Sequence, residues 1–234
     1  MILRHKRIWI PAAAGLVMGV VLLGNHLVRS SAESKIAKTV ACGLKSSGPT
    51  SAHLTGPWAG LGILSGDLGT VNVSAEQVRL GDTSVNVTAT LHHVTTSAKT
   101  TGGKASTTIA YAQLQRRLSA ELGTDLQLTG DGHNLVIDTT FGIPVTVDAT
   151  LTTAPQAVTI TPTQVGVLGQ KYSVPALLRS PLSAMLPKNT LQPRIIPLSG
   201  LPAGINLTTA TPTAGSLRLA FDLTPDVVTP ACVR

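Results

Sequence analysis

Ser84-Val85-Asn86-Val87-Thr88-Ala89-Thr90-Leu91 sets an aliphatic side chain at every odd position and a small polar one at every even position. A period of two puts the odd positions on one face of a strand and the even ones on the other. The same device returns at Val71/Val73, Leu126/Leu128, Leu135/Ile137, Val145/Val147/Ala149/Leu151, Val158/Ile160 and Leu217/Leu219, with Thr, Asn, Asp, Gln or Arg between in all but Leu135/Ile137, which flank Val136. Together these stretches predict a large antiparallel sheet with one apolar face. Aromatic residues are only 3% of the chain, so that face is nearly all Val, Leu and Ile. Such a surface suits a smooth aliphatic groove as well as a filled core.

The 234 residues, 43% of them hydrophobic, suit one domain and an N-terminal segment. Charged residues are only 12%, while Thr, Ser, Gly and Pro are plentiful, which favours a turn-rich β protein over a helical bundle. Of the formal charge of +7, Arg4, Lys6, Arg7 and Arg29 flank the N-terminal apolar run and leave 14 basic against 11 acidic residues beyond Ser31. The remaining cations are scattered, with Arg116-Arg117 the one adjacent pair in the domain. Nucleic-acid binding needs a dense basic stripe or interleaved aromatics, so that class of partner is excluded.

Ile8–Val28 is an apolar run behind the basic cluster Arg4-His5-Lys6-Arg7. The charge asymmetry places the N-terminus in the cytoplasm and the chain after Ser30 outside. The length of the run predicts a retained anchor, the alternative being cleavage near the small residues Ser30-Ser31-Ala32. Residues 1–31 then form a basic stub and membrane segment, and residues 32–234 a single exported domain in the cell envelope. Export gives meaning to the two cysteines, because a thiol pair in an oxidising compartment usually forms a bridge; Cys42–Cys232 is expected.

Along the exported chain, Ile36, Val40 and Leu44 recur at helical spacing and predict an amphipathic helix over Glu33–Lys45. Leu54–Gly69, with Trp58 as a core anchor, reads as a strand or packed loop. Val71–Leu80 and Thr83–Thr95 read as a hairpin about Gly81-Asp82. Ser97–Ser106 reads as a flexible loop, after which a helix starts at Thr107 with Ile109, Leu114, Leu118 and Leu122 on one stripe. Asp125–Thr161 reads as a meander. Beyond it come a short strand or turn at Val165–Tyr172, a short apolar helix over Pro175–Met185 interrupted by Pro181, an irregular stretch over Pro187–Pro197, and strands at Ile205–Thr209 and Ser216–Leu223.

Catalytic patterns are missing. Gly62-Ile63-Leu64-Ser65-Gly66 lacks the spacing of a nucleophile elbow, and Gly102-Gly103-Lys104-Ala105-Ser106 that of a phosphate loop. His92 and His93 are adjacent and so are expected on opposite strand faces, while His53 and His133 are isolated; no metal-ligand set and no cofactor motif is present. Asp138 and Asp148 lie on the polar parity of their strands and read as solvated acids rather than a general acid/base pair. Asn72, Asn86 and Asn206 fit the glycosylation sequon and receive no role.

In order along the chain stand an exported N-terminus, an amphipathic helix, Gly56-Pro57-Trp58 to Ser65-Gly66, Val71-Asn72-Val73 to Val78, and Leu201-Pro202-Ala203-Gly204-Ile205-Asn206-Leu207 before Gly215-Ser216-Leu217-Arg218-Leu219. Over roughly Ala32–Leu223 this resembles the actinobacterial LmeA-like phospholipid-binding family, with a Trp58 region unusually rich in glycine. The resemblance implies an α+β, tubular lipid-binding (BPI-like) fold. In it a curved, largely antiparallel sheet packs on one or two long amphipathic helices behind an N-terminal membrane segment. It also implies a non-enzymatic role in envelope lipid and mannan-type glycolipid assembly, and it carries no catalytic residues.

On that reading Val85, Val87, Leu135, Ile137, Val145, Val147, Leu217 and Leu219 are the candidate wall for acyl chains, each methylene gaining about 0.8 kcal/mol on burial. Lys171, Arg179, Lys188 and Arg194 are the candidate headgroup cations. The alternative is a filled-core scaffold or interaction module for an envelope glycosyltransferase, with no lipid cavity.

Overall fold

The structure is a computed structural model. It describes residues 29–225 apart from 45, 57–61, 63–64, 81–82, 98, 123–124, 141, 187–190, 199–200 and 202–203. The expected anchor at Ile8–Val28, the Trp58 anchor, Lys188 and Cys232 therefore lie outside the described residues. Among the described residues no helix is long and apolar enough to cross a membrane.

Among the described residues helix α1 covers 29–43, and so includes the four residues before the Glu33 at which the periodicity sets its start. After it come β1 (Thr50–Thr55), β2 (Asp67–Leu80), β3 (Thr83–Thr95) and β4 (Gly102–Ala110), then helix α2 (Tyr111–Leu122). The meander follows as β5 (Leu126–Gly130), β6 (Asn134–Thr140), β7 (Pro144–Ala154) and β8 (Ala157–Val167). The chain continues through β9 (Gln170–Ser173), helix α3 (Val174–Leu178), a 3-10 turn (Pro181–Met185), β10 (Arg194–Pro197), β11 (Ile205–Pro212) and β12 (Ser216–Leu223).

The alternating stretches divide into two six-stranded antiparallel sheets rather than one. The first runs β1-β2-β3-β4-β12-β11; the second runs β10-β8-β7-β6-β5, with β9 beside β8. Period two identifies strands and their faces but not their partners, so the division could not be read from alternation. The meander β5 to β8 pairs consecutively and closes its own sheet. The free edge of β4 is instead taken by β12, from the far end of the chain.

Helix α1 lies on the first sheet, where Ala32, Ile36, Ala37 and Val40 pack against buried Leu54, Val71, Val73 and Leu91. Helix α2 covers part of the second sheet through Leu114 and Leu118, beside buried Tyr111, Leu126, Leu128 and Leu135. Fully buried Leu177 fixes α3 against Val145, Val147, Val165 and Val167. Between the sheets, Val158 of β8 packs with Leu207, Leu219 and Phe221 of β11 and β12.

Three local expectations are corrected. Gly102–Ala110, read as the end of a loop and the start of a helix, is strand β4, and the helix begins at Tyr111. At Gly103 an added Cβ would run into the Thr90 carbonyl oxygen and come 3.1 Å from Leu91 Cα; the glycine that suggests flexibility is what lets β4 lie against β3. Arg194–Pro197, read as irregular, pairs with β8 as an edge strand, where a terminal proline leaves no ladder bond unmade. His92 and His93 are both exposed instead of facing opposite ways. The register between Gly69/Val94 and Val71/Leu91 sets both histidines against Thr70 alone, and His93 takes φ 47°, the backbone of a β-bulge.

Candidate functional site

The aliphatic side chains that the apolar parities turn inward form five packed clusters, and half-buried residues link four of them. Ile109 belongs both to the cluster of Ala75, Val78 and Val85 and to that of Leu207, Leu219 and Phe221. Leu151 and Leu217 join the latter to the Leu126/Leu128/Leu135 cluster. Ile137 joins that in turn to the Val145/Val147/Val165 cluster under α3. The result is a continuous aliphatic seam from Val87 on the first sheet, through Ile109, Leu217 and Leu151, to Ile137 on the second. Its members keep partial solvent contact while their neighbours are sealed.

The eight wall candidates divide accordingly. Val87, Ile137 and Leu217 lie on the seam and are half-buried. Val85, Leu135, Val145, Val147 and Leu219 are buried, at 2% to 5% exposure. The first sheet supplies Val85, Val87, Leu217 and Leu219, and the second supplies the other four, so both sheets contribute to the wall. Sequence reading missed Ile109 and Leu151, although Leu151 continues the Val145/Val147 alternation. Ile109 was assigned to the helix that starts two residues later.

The candidate headgroup cations are not gathered at one point. Lys171 Nζ lies 2.8 Å from Asp148 Oδ2, and the carboxylate's hydrogen bond and charge raise the lysine's pKa. Arg179 caps the end of α3, and Arg194 opens β10; both are exposed. Lys171 stands opposite Gly166 and Arg194 opposite Ile160 on the same strand, about 20 Å apart at strand rise.

Asp138 and Asp148 are not a pair. Asp138 stands opposite Thr146, whose hydroxyl donates to it at 2.6 Å, and Asp148 stands opposite Val136. Each acid has its own partner, leaving no poised proton donor beside a base. Among the described residues no group of three His, Cys, Asp or Glu could hold a metal. Two surface depressions lie away from the seam. One of about 400 Å³ separates α1 from β1 near Ala37, Ala41 and Ala52. The other, of about 460 Å³, lies over the polar face of the first sheet at Asn72, Thr88, Thr90 and Ser106.

Comparison with known proteins matches the family described as LmeA-like phospholipid-binding over residues 23–222. No curated protein and no solved structure matches the chain. The matched span runs from before α1 to the penultimate residue of β12, and so takes in both sheets and the seam between them. The chain belongs to the LmeA-like phospholipid-binding family.

Proposed function

We propose that this chain is a non-enzymatic cell-envelope protein that binds phospholipid by its acyl chains along the seam joining the two sheets, in the manner of a tubular lipid-binding protein. The observation that carries the reading is the continuity of half-buried aliphatic residues from Val87 through Ile109 and Leu217 to Ile137. A run of this kind has no polar side chain to desolvate. Each acyl methylene seated on it gains about 0.8 kcal/mol. Residues 8–28 would hold the protein on the exported side of the cytoplasmic membrane, where it supports envelope lipid and mannan-type glycolipid assembly.

A second reading, a scaffold for an envelope glycosyltransferase, draws on one observation: five of the eight wall candidates are already buried against protein. The full chain, purified in a mild detergent that exchanges bulk lipid, separates the two. Near-stoichiometric phospholipid in solvent extracts, lost in Ile137→Asp or Leu217→Asp but kept in the surface variant Thr108→Asp, is the result expected. Extracts free of lipid from a folded protein would leave the scaffold reading standing.

A further inference from the structure

The four large hydrophobic residues exposed among the described residues are Leu168, Leu178, Ile195 and Ile196. All four lie along one margin of the second sheet. Strand β7 occupies one edge of β8 along its whole length. The opposite edge carries β9 beside Gln164–Val167 and β10 beside Ala157–Ile160. Leu168 forms the β8–β9 turn, Leu178 ends α3 directly after β9, and Ile195 and Ile196 are the centre of β10.

Leu168 is not there by local preference. The two residues of its turn, Leu168 and Gly169, have φ of 52° and 81°, the hairpin geometry that Asn, Asp or Gly normally fills. A leucine there is disfavoured by its own backbone and is 66% exposed, so neither turn chemistry nor core packing accounts for it. Ile195, at 70% exposure, stands opposite Thr159 on β8. Directly opposed residues share a sheet face, so it projects with the polar parity of that strand.

The charge that β9, α3 and β10 themselves carry has one sign. From residue 149 to residue 221 the chain contains no Asp or Glu, while Lys171 lies on β9, Arg179 at the end of α3 and Arg194 on β10. Asp148 neutralises Lys171, while no described carboxylate pairs with Arg179 or Arg194.

We propose that the β9–α3–β10 margin docks on an anionic lipid bilayer, with Leu168, Leu178 and Ile195 entering the interface and Arg179 and Arg194 meeting the headgroups. Apolar side chains ringed by cations are the combination that binds an acidic membrane surface, each contributing independently. The proposal rests on the phospholipid-binding reading above, to which it adds the face that meets the membrane.

Photocrosslinking of the full chain tests it. A benzoylphenylalanine is placed in turn at position 168, at 195, and at 108 on the outer face of the first sheet. Each protein is reconstituted in vesicles of phosphatidylglycerol and phosphatidylcholine in equal parts. Lipid adducts at 168 and 195 are expected to exceed those at 108 and to fall by about tenfold when Arg179→Glu and Arg194→Glu are combined. Equal adducts at all three positions, no adducts at any, or adducts to a second copy of the chain in place of lipid would each overturn it. Phospholipid extracted from Leu168→Asp with Ile195→Asp is expected at the unmodified amount. Loss of the seam lipid and loss of docking therefore register separately.

Discussion

Glu33 and Leu54 join helix α1 to the outer edge of the first sheet: the Leu54 backbone N–H donates to Glu33 Oε1 at 2.9 Å. Arg29 completes the contact, donating at 2.9 Å to the same carboxylate oxygen and at 2.5 Å to the Leu54 carbonyl. Among the described strands β1 pairs with β2 alone, so these two side chains satisfy backbone groups that an edge strand would leave open. Burial would raise the pKa of Glu33, but the hydrogen bonds from Arg29 and Leu54 and the arginine's charge outweigh it and hold the carboxyl below its ordinary value.

Glu33→Ala should cost about 1–3 kcal/mol, since it strands a buried N–H and releases the guanidinium. Urea unfolding of the variant checks this. A midpoint equal to that of the unmodified chain would show that water replaces the carboxylate.

Gly103 and Gly132 are expected to respond differently to the same methyl group. At Gly103 the added Cβ would collide with the β3 backbone at Thr90, so Gly103→Ala should cost about 2–3 kcal/mol and disturb the β3–β4 pairing. Gly132 has φ 96° with nothing within 4 Å. Gly132→Ala therefore meets only backbone strain, about 1 kcal/mol. Thermal unfolding of the two variants side by side should rank them in that order.

Asp131, in the β5–β6 turn, accepts from the backbone N–H of Asn134 at 2.6 Å and of His133 at 2.8 Å, and from the Asn134 side chain at 3.2 Å. These bonds lower its pKa from 3.8 to about 2. A carboxyl depressed on folding stabilises fully above its unfolded pKa and loses that contribution as pH falls through the folded one. The turn should therefore loosen between about pH 4 and pH 2. Protection of the Asn134 amide, its exchange rate taken relative to the intrinsic rate at each pH, is expected to fall through that window in the unmodified chain and to be low throughout in Asp131→Ala.

The Cys42–Cys232 bridge is a proposal: Cys232 lies outside the described residues, and Cys42 is exposed near the end of α1. Non-reducing peptide mapping should recover the two cysteines in one linked species. Reduction should destabilise the chain by up to about 5 kcal/mol, the chain-entropy value for so long a loop. Two free thiols in the purified full chain would remove the bridge.

Much of this fold was legible because each device is local. Alternation located β2, β3, β6, β7 and β12 and their inner faces, and the spacing of Ile36 and Val40 located α1. What escaped depends on partners remote in sequence. Gly102-Gly103 looks like a hinge until β3 is known to lie within reach. Ile109 and Ala110 fit the stripe of α2 as well as the parity of β4, and only pairing with Leu217 and Ser216 decides. The wall candidates rest on their parity, yet parity alone does not separate half-buried Val87 from sealed Val85. Leu168 went unremarked because an aliphatic residue beside a glycine reads as core, and only its exposure reveals otherwise.

The strand order carries a consequence for how the chain acquires its structure. Every pairing in the second sheet lies within residues 126–197, most of it between neighbouring strands. That sheet can close from local contacts as its segment appears. The first sheet cannot, because β12 joins β4 through pairs as distant as Leu223 with Gly103, and such non-local closure is slow. Until Ser216–Leu223 emerges, β4 is an open edge beside an aliphatic face with no cover from β11 and β12. During synthesis, that unfinished half is the part of the molecule in need of protection from aggregation, and the last strands to arrive are the ones that end the need.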